Sequence, residues 1–181
     1  DDGQTSHVIG VDQATGDARY KAARPNAVSG HCTPVIYRPN GLAPQFLLPG
    51  SFLLDAYDAI TGKRIWWIRG LPSEMKSVPV LIGDTLWIHG YGSPQNNKGR
   101  QIELPSFLDA VRHLDQDGDE AISKAEIEDQ RVARYFGFLD LDKNGTLDAD
   151  EWRLCRAAYA SINAAMAVRC GGLGDMTDKS M

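Results

Sequence analysis

The sequence lacks several features that assign a chain quickly to a functional class. No apolar run approaches the roughly 18–20 residues that a membrane-spanning helix needs. The first residues carry neither a basic segment nor an apolar core, so we expect no signal peptide in this chain. Lys and Arg number 19 against 24 acidic residues, a net charge of −5. We therefore expect no membrane span and no nucleic-acid partner.

Cysteine is also scarce, with only Cys32, Cys155 and Cys170. There is no CxxC pair and no Cys/His spacing typical of zinc. Cys155 and Cys170 lie in a segment with helical periodicity, where they would be roughly 22 Å apart, and a disulfide needs Cα atoms about 6 Å apart. The cysteines therefore leave the redox compartment and the disulfide state open.

The remaining composition is ordinary for a globular protein of one domain or two small ones, with 181 residues, 43% of them apolar. The two halves of the chain differ in their residue patterns. We predict a β region over 1–92, a linker over 93–104, a helical region over 105–170 and a tail over 171–181. The fold class is thus β plus α.

Short apolar runs between Gly, Pro, Asn and Asp predict eight strands in the first half. Their ranges are 7–11, 18–22, 33–37, 45–48, 52–57, 64–69, 78–82 and 85–89. Gly83-Asp84 is typical of a two-residue hairpin turn.

The same half contains an internal repeat. The segment 11–16 (VDQATG) returns at 57–62 (YDAITG), a shift of 46, and 33–36 (TPVI) returns at 78–81 (VPVL), a shift of 45. A β period of this length is typical of one propeller blade. The chain then holds half a blade, one whole blade over 33–69 and a further half over 78–89. Because such a set cannot close a ring, we expect a piece of a larger protein or a chain that another chain completes.

In the second half, apolar residues recur at the spacing of a helix. This spacing predicts a helix over 105–114, a shorter one near 131–139 and a long one over 149–169 that ends at Gly171-Gly172. The apolar stripe of the long helix comprises Trp152, Cys155, Tyr159, Ile162 and Met166.

Two acidic loops of twelve residues lie between these helices. The second, 140–151, matches the EF-hand pattern at its ligand positions and has Gly145 at the sharp turn. Its predicted calcium ligands are Asp140, Asp142, Asn144, the Thr146 carbonyl, Asp148 and Glu151.

The first loop, 115–126, offers Asp115, Asp117, Asp119, the Ala121 carbonyl, Ser123 (directly or through water) and Glu126. Glu120 replaces the usual glycine and must adopt a left-handed conformation, which costs roughly 1 kcal/mol or more. We therefore expect two calcium sites, the second stronger than the first. A single such loop can be a solvated surface turn, but two in tandem with helical flanks favour metal binding. Calcium and a trivalent lanthanide remain indistinguishable here.

The β half resembles the pyrroloquinoline-quinone (PQQ)-like β-propeller repeat proteins, through the segments 56–67 (AYDAITGKRIWW) and 77–87 (SVPVLIGDTLW). With the acidic loops, the chain looks like secreted or periplasmic bacterial propellers that carry an EF-hand insertion between strands. The resemblance implies about two blades' worth of strands, a periplasmic or secreted location, and the remaining blades or a second chain as partner. The dehydrogenases of this family draw PQQ ligands from several blades, so we expect no PQQ site in this chain.

Other conspicuous residues have structural explanations. We expect Trp66, Trp67 and Trp87 to be packing aromatics between sheets rather than a stacking platform. His31 and Cys32 are adjacent on an extended segment and point to opposite faces, so they do not form a nucleophile–base pair. Asp58 is expected to accept backbone N–H bonds in its turn rather than act with Asp55 in acid–base chemistry.

Three functions follow from these observations. The first is a calcium-stabilised propeller segment that binds or scaffolds a protein or small-molecule ligand. The second is part of a PQQ-dependent dehydrogenase, which would show quinone absorbance and dye reduction. The third is a calcium sensor that exposes apolar surface on binding, although few methionines support it. No catalytic residue is predicted, and enzymatic activity is left open with a binding role favoured.

Overall fold

The computed structural model describes residues 6–24, 27–28, 30–92 and 102–179. Within them the protein consists mostly of β-sheets with four short helices. The chain divides into two compact units, here called the β unit (described residues up to 92, together with 161–179) and the helical unit (102–160). None of the described helices is long and apolar enough to cross a membrane.

All eight strands predicted in the first half are present, with small shifts at their ends. They are β1 (His7–Val11), β2 (Ala18–Ala23), β3 (Val35–Tyr37), β4 (Gln45–Gly50), β5 (Leu53–Asp58), β6 (Arg64–Arg69), β7 (Val80–Ile82) and β8 (Thr85–Gly90). The turn at Gly83-Asp84 joins β7 to β8, and Gly83 has the positive φ of 58° that this turn needs.

The four helices are α1 (Phe107–Leu114), α2 (Gln130–Ala133), α3 (Phe136–Leu139) and α4 (Ala149–Ala160). Four further strands follow the first eight: β9 (Ile122–Ser123), β10 (Thr146–Leu147), β11 (Ala164–Arg169) and β12 (Gly174–Asp175). The predicted helix near 131–139 is therefore two short helices, separated at Arg134 and Tyr135.

The strands of the β unit form three sheets. β1 pairs with β2 as a hairpin, and β3 to β6 form an antiparallel meander to which β12 adds as a parallel fifth strand. The third sheet has the order β11-β8-β7. The strand sequence predicted for the whole repeat at 33–69 is thus present as four consecutive, hydrogen-bonded strands.

The prediction of one helix over 149–169 is wrong after residue 160. Residues 164–169 form β11, which pairs with β8 in six consecutive positions from Ala164↔Gly90 to Arg169↔Thr85. Asn163 Oδ1 accepts the Gly92 N–H at 2.7 Å just before the strand begins. Ile162 and Met166 therefore lie outside the helix. β11 adds a third strand to the β7–β8 pair, whereas the prediction ended this sheet as half a blade at residue 89.

Two predicted boundaries change as a result. The helical region ends at 160 rather than 170, and the predicted tail contains β12. Most of the predicted linker, 93–101, lies outside the described residues. Its last part is not a free linker, because Ile102 and Leu104 pack on the core of the helical unit.

The internal repeat is also a repeat of backbone structure. Asp12 Oδ1 accepts the N–H groups of Ala14 and Thr15, and Asp58 Oδ1 accepts those of Ile60 and Thr61. Each hairpin also has a register shift at the matching place, after Gly10 in one and after Ala56 in the other. The shift of 46 residues therefore relates the whole β1–β2 hairpin to β5–β6, and the turn role expected of Asp58 is confirmed.

Each unit has its own core. In the β unit it lies between the five-stranded and three-stranded sheets and includes Leu47, Trp66, Leu86 and Val168. Trp66 is fully buried and its Nε1 donates to Gln45 Oε1 at 3.0 Å, as expected of a packing aromatic. Trp87, by contrast, is 51% exposed and does not pack between sheets of the described residues.

Candidate metal centre

The ends of short helices position the two acidic loops. Asp115 follows α1 and Asp140 follows α3, so the first residue of each loop is also the C-cap of a helix. The strands β9 and β10 then join the loops as an antiparallel pair. Ile122 of β9 lies opposite Leu147 of β10, and both side chains are fully buried. The two loops therefore lie side by side, with their apolar residues in one core.

The first loop is folded around the carboxylate of Asp115. Its Oδ1 accepts the Gly118 N–H at 2.6 Å and its Oδ2 accepts the Glu120 N–H at 3.1 Å. Asp117 and Asp119 each accept the N–H two residues further on. These bonds hold the chain in a tight curl.

The second loop repeats this arrangement. Asp140 Oδ1 accepts the Asn144 N–H at 3.1 Å, and Oδ2 accepts the Gly145 N–H at 3.0 Å. Asn144 Oδ1 accepts both the N–H and the hydroxyl of Thr146. In both loops the first aspartate thus accepts the N–H of the residue at position 6, Glu120 or Gly145.

The last glutamate of each loop ties the end of the loop to its beginning. Glu126 accepts the N–H of Gln116 at 2.8 Å and that of Ser123 at 2.7 Å. Glu151 likewise accepts the N–H groups of Leu141 at 2.7 Å and Asp148 at 3.1 Å. Each carboxylate therefore already sits at the centre of its loop.

Three carboxylates converge in each loop, with an oxygen of each lying within 4.8 Å of the others. The groups are Asp115, Asp117 and Glu126 in the first loop and Asp140, Asp142 and Glu151 in the second. Asp119 and Asp148, also predicted as ligands, are not in these groups. Asp119 bonds the Ala121 N–H, and Asp148 caps α4 by accepting the N–H groups of Asp150 and Glu151.

The electrostatics of the two sites differ. The N–H groups of Gln116 and Ser123 lower the pKa of Glu126. Burial raises the pKa of Glu151, against the opposing effect of the Asp148 N–H. The Asp119 N–H lowers the pKa of Asp117, but desolvation and the nearby carboxylates outweigh it and raise that pKa overall. The second site is the more enclosed, since Asp140 and Glu151 are both buried.

Backbone strain is present in both loops. Glu120 has a φ of 62°, which confirms the left-handed conformation expected there, and Gly145 occupies the matching position in the second loop. Lys143 in the second loop also has a positive φ of 60°, where the first loop has Gly118. Each loop thus carries one non-glycine residue in the left-handed region. Backbone strain therefore does not indicate which of the two sites binds a metal more tightly.

Two side-chain contacts that hold the second loop in place were not predicted from the sequence, although Trp152 was predicted on the apolar stripe of the long helix. Trp152 follows Glu151 directly, and its Nε1 donates to the Pro105 carbonyl at 3.0 Å. Arg156 Nε donates to the Leu104 carbonyl one turn later. The Asp148-x-x-Glu151 spacing of a capping box was the one available signal: each of these two carboxylates accepts the other residue's N–H.

Asp55, the other carboxylate weighed above for acid–base chemistry, has a structural role in the β unit. Asp55 is fully buried and accepts from Arg24 Nε at 3.0 Å and from Arg64 Nε at 2.7 Å. It is therefore neutralised by two guanidinium groups from different segments and is not paired with Asp58. Breaking such a buried pair by removing one partner typically costs several kcal/mol.

The cysteines are not bonded to one another. Cys32 is half-buried, whereas Cys155 and Cys170 are buried, and all three are free thiols. Desolvation raises the pKa of both buried thiols to about 12. These thiols are therefore poor nucleophiles and poor metal ligands while the protein is folded.

Comparison with known proteins adds little to this description. No family model matches the sequence, and no curated protein matches it. The crystal structure of BamB from Moraxella catarrhalis is similar over 47% of this chain, with 19% identity and a TM-score of 0.38. The match spans only 29% of the BamB chain. A similarity of this size supports no conclusion about function.

Proposed function

We propose that the helical unit binds two calcium ions through its paired acidic loops and that calcium stabilises this unit. The observation that carries the proposal is the convergence of three carboxylates in each loop, with oxygens within 4.8 Å of one another. At that separation, each pair of unit charges repels by about 1 kcal/mol in water and by several times that where the local dielectric is lower. A bound cation would remove this repulsion and replace it with attraction.

The chemistry of the donors favours calcium among cations. Every proposed ligand atom is an oxygen, and each loop offers carboxylates together with a backbone carbonyl, at Ala121 or Thr146. Calcium takes six to eight oxygens in flexible geometry, whereas magnesium demands a nearly ideal octahedron and keeps several waters. A loop of twelve residues that wraps around the ion fits the flexible coordination of calcium better than the octahedron of magnesium.

We also propose that the β unit is a segment of a PQQ-like β-propeller with a binding or scaffolding role. The repeated turn and register shift of β1–β2 and β5–β6 support this assignment. In this proposal the helical unit is an insertion between the neighbouring strands β8 and β11. A periplasmic or secreted location agrees with calcium as a structural ion and remains part of the proposal.

Calorimetric titration of metal-stripped protein with calcium tests the metal proposal. We expect two binding events in the native chain. Glu151→Gln should lose or greatly weaken one of them, and Glu126→Gln the other, because each change removes the carboxylate that closes its loop. Glu128→Gln is the matched control, since Glu128 is exposed and outside both loops. The control should titrate like the native chain.

Two further outcomes decide between alternatives. The absence of both binding heat and thermal stabilisation at millimolar calcium would exclude calcium binding at the loops. Calcium-dependent fluorescence of an apolar dye would favour the sensor function, because sensors expose apolar surface on binding. Stabilisation without new dye binding would favour the structural role proposed here.

A further inference from the structure

A cavity of about 230 Å³ lies in the β unit where three connecting segments meet. They are the described part of the segment between β2 and β3, the turn between β4 and β5, and the segment between β6 and β7. Backbone hydrogen bonds join them: the Met75 carbonyl accepts the His31 N–H at 3.2 Å, and the Pro72 carbonyl accepts the Phe52 N–H at 3.2 Å. The tertiary arrangement of the β unit therefore forms this cavity, not a single loop.

Phe52 lines the cavity in a strained backbone conformation. Its φ is 63°, in the left-handed region, and its carbonyl accepts the Gly70 N–H at 3.0 Å. Together with the bond to Pro72, this means that the chain following β6 holds both backbone polar groups of Phe52. Bulky residues are rare in this region of φ, and strained residues cluster at ligand sites. The turn therefore presents an aromatic ring where glycine would be the unstrained choice.

The segment between β6 and β7 supplies one charge of each sign. Lys76 Nζ lies 2.5 Å from Glu74 Oε2, and the two side chains are 63% and 38% exposed. Two backbone hydrogen bonds with Tyr91, of 2.8 and 2.9 Å, hold Glu74 in place. A carboxylate has two acceptor oxygens and an ammonium group has three donors, so one contact saturates neither group. Both side chains therefore retain the capacity to bind a polar ligand.

The repeat places a second nitrogen donor in the same cavity. The shift of 45 equates His31 with Lys76, and both residues line the cavity. Among the described lining residues, Glu74 is the acid and Lys76 is the base, so the charges of the lining sum to zero with neutral histidine. Electrostatic complementarity then favours a ligand that carries both signs over an anion or a cation.

We propose that this cavity binds a free α-amino acid with an apolar side chain, as the zwitterion. The carboxylate of the ligand contacts Lys76 and His31, its ammonium group contacts Glu74, and its side chain packs on Phe52 and Met75. Hydrogen bonds between ionised groups are stronger than those between neutral groups, so both ends of the ligand contribute to affinity. This inference rests on the binding role proposed above for the β unit and gives that role a site and a ligand class.

The test is titration of the 181-residue chain with three ligands that share one ring, followed by nuclear magnetic resonance. L-Phenylalanine carries both charges, N-acetyl-L-phenylalanine lacks the ammonium group and L-phenylalaninamide lacks the carboxylate. We expect saturable binding of L-phenylalanine and about tenfold weaker binding of each derivative, because each loses hydrogen bonds to a charged group. Glycine should also bind about tenfold more weakly than L-phenylalanine, because it buries no apolar side chain.

Two variants assign each end of the ligand to its partner in the cavity. Glu74→Gln should weaken the binding of L-phenylalanine about tenfold, but should bind N-acetyl-L-phenylalanine at least as well as the native chain does. Lys76→Met should also weaken the binding of L-phenylalanine, but should bind L-phenylalaninamide at least as well as the native chain does. Lys63→Met is the matched control, because Lys63 is an exposed lysine of the β unit that does not line this cavity. The control should bind all three ligands like the native chain.

Three results would overturn the proposal. The first is the absence of saturable binding of L-phenylalanine and L-leucine. The second is equal affinity for L-phenylalanine and both derivatives, since the cavity would then accept apolar rings regardless of charge. The third is tighter binding of either derivative, which would assign the cavity to one terminus of a peptide. None of these results changes the calcium titration of the helical unit, and a failed calcium titration would leave these affinities unchanged, so the two failures are distinguishable.

Discussion

At the scale of single residues, the two acidic loops place their strain at different positions. Glu120 sits where the second loop has Gly145, and Lys143 sits where the first loop has Gly118. A side chain in the left-handed region costs roughly 1–2 kcal/mol relative to ordinary backbone. Each loop therefore holds one strained position, and the surrounding hydrogen bonds to Asp115 and Asp140 keep it in place.

Replacing Lys143 with glycine tests this strain. Lys143→Gly relieves the left-handed conformation, but the greater freedom of glycine in the unfolded chain offsets part of the gain. We expect the free energy of unfolding of the helical unit to stay equal or rise by a few tenths of a kcal/mol. Lys124→Gly changes an exposed turn lysine without a positive φ and should lower the free energy of unfolding by about 0.4–1 kcal/mol, because glycine adds freedom to the unfolded chain. Chemical denaturation of both variants measures the difference, and equal losses would show that Lys143 is unstrained.

At the scale of elements, the repeated hairpin turn depends on one aspartate. The N–H groups of Thr61 and Ile60 hold the pKa of Asp58 below its ordinary value. A lowered folded-state pKa means that the stabilisation is complete above the unfolded pKa, near 3.8, and disappears as pH falls through the folded value. The turn that joins β5 to β6 should therefore weaken in acid.

Asp58→Ala should lower the free energy of unfolding of the β unit by about 1 kcal/mol at neutral pH, the size of a lost cap. Asp58→Asn keeps one acceptor oxygen but loses the charge, so it should lower the free energy of unfolding by less than Asp58→Ala. The difference between the native chain and Asp58→Asn should be greatest at neutral pH and shrink below pH 4. Denaturation at several pH values measures it, with the exposed Asp178→Asn as charge control. A difference that grows in acid would contradict the assigned pKa direction.

At the scale of the whole molecule, two buried cysteines report on the two units separately. Cys155 is buried in the helical unit and Cys170 in the β unit, and burial raises the pKa of each thiol to about 12. Neither thiolate is available in the folded state, so alkylation of each one requires opening of its own unit. Cys32 is only half-buried and should react first.

Calcium should slow the alkylation of Cys155 and leave that of Cys170 unchanged. Each bound ion should contribute a factor of 1 + [Ca]/Kd for its own site, or about a hundredfold at one hundred times that Kd. Mass spectrometry of peptides after timed alkylation measures both rates in one sample. Glu151→Gln should abolish the factor that the second loop contributes and leave that of the first loop. Equal protection of both cysteines would mean that the two units open as one.

Local chemistry made much of this structure predictable. The turns at Asp12 and Asp58 form through hydrogen bonds within five residues, and alternation marks the strands on either side. The acidic loops are equally local, since Asp115 and Asp140 organise the backbone that directly follows them. For the same reason, the six converging carboxylates were all among the residues identified from the sequence.

Contacts between residues a few positions apart dictate the eight strands of the first half, the repeat and both acidic loops, so these features could be predicted before the fold was known. Tertiary structure decided the rest. Residues 164–169 have a pattern compatible with a helix, but the edge of β8 offers backbone partners along six residues, and pairing there satisfies both strands. The exposure of Trp87 was likewise decided by which sheet faces meet, and that depends on contacts far apart in the sequence.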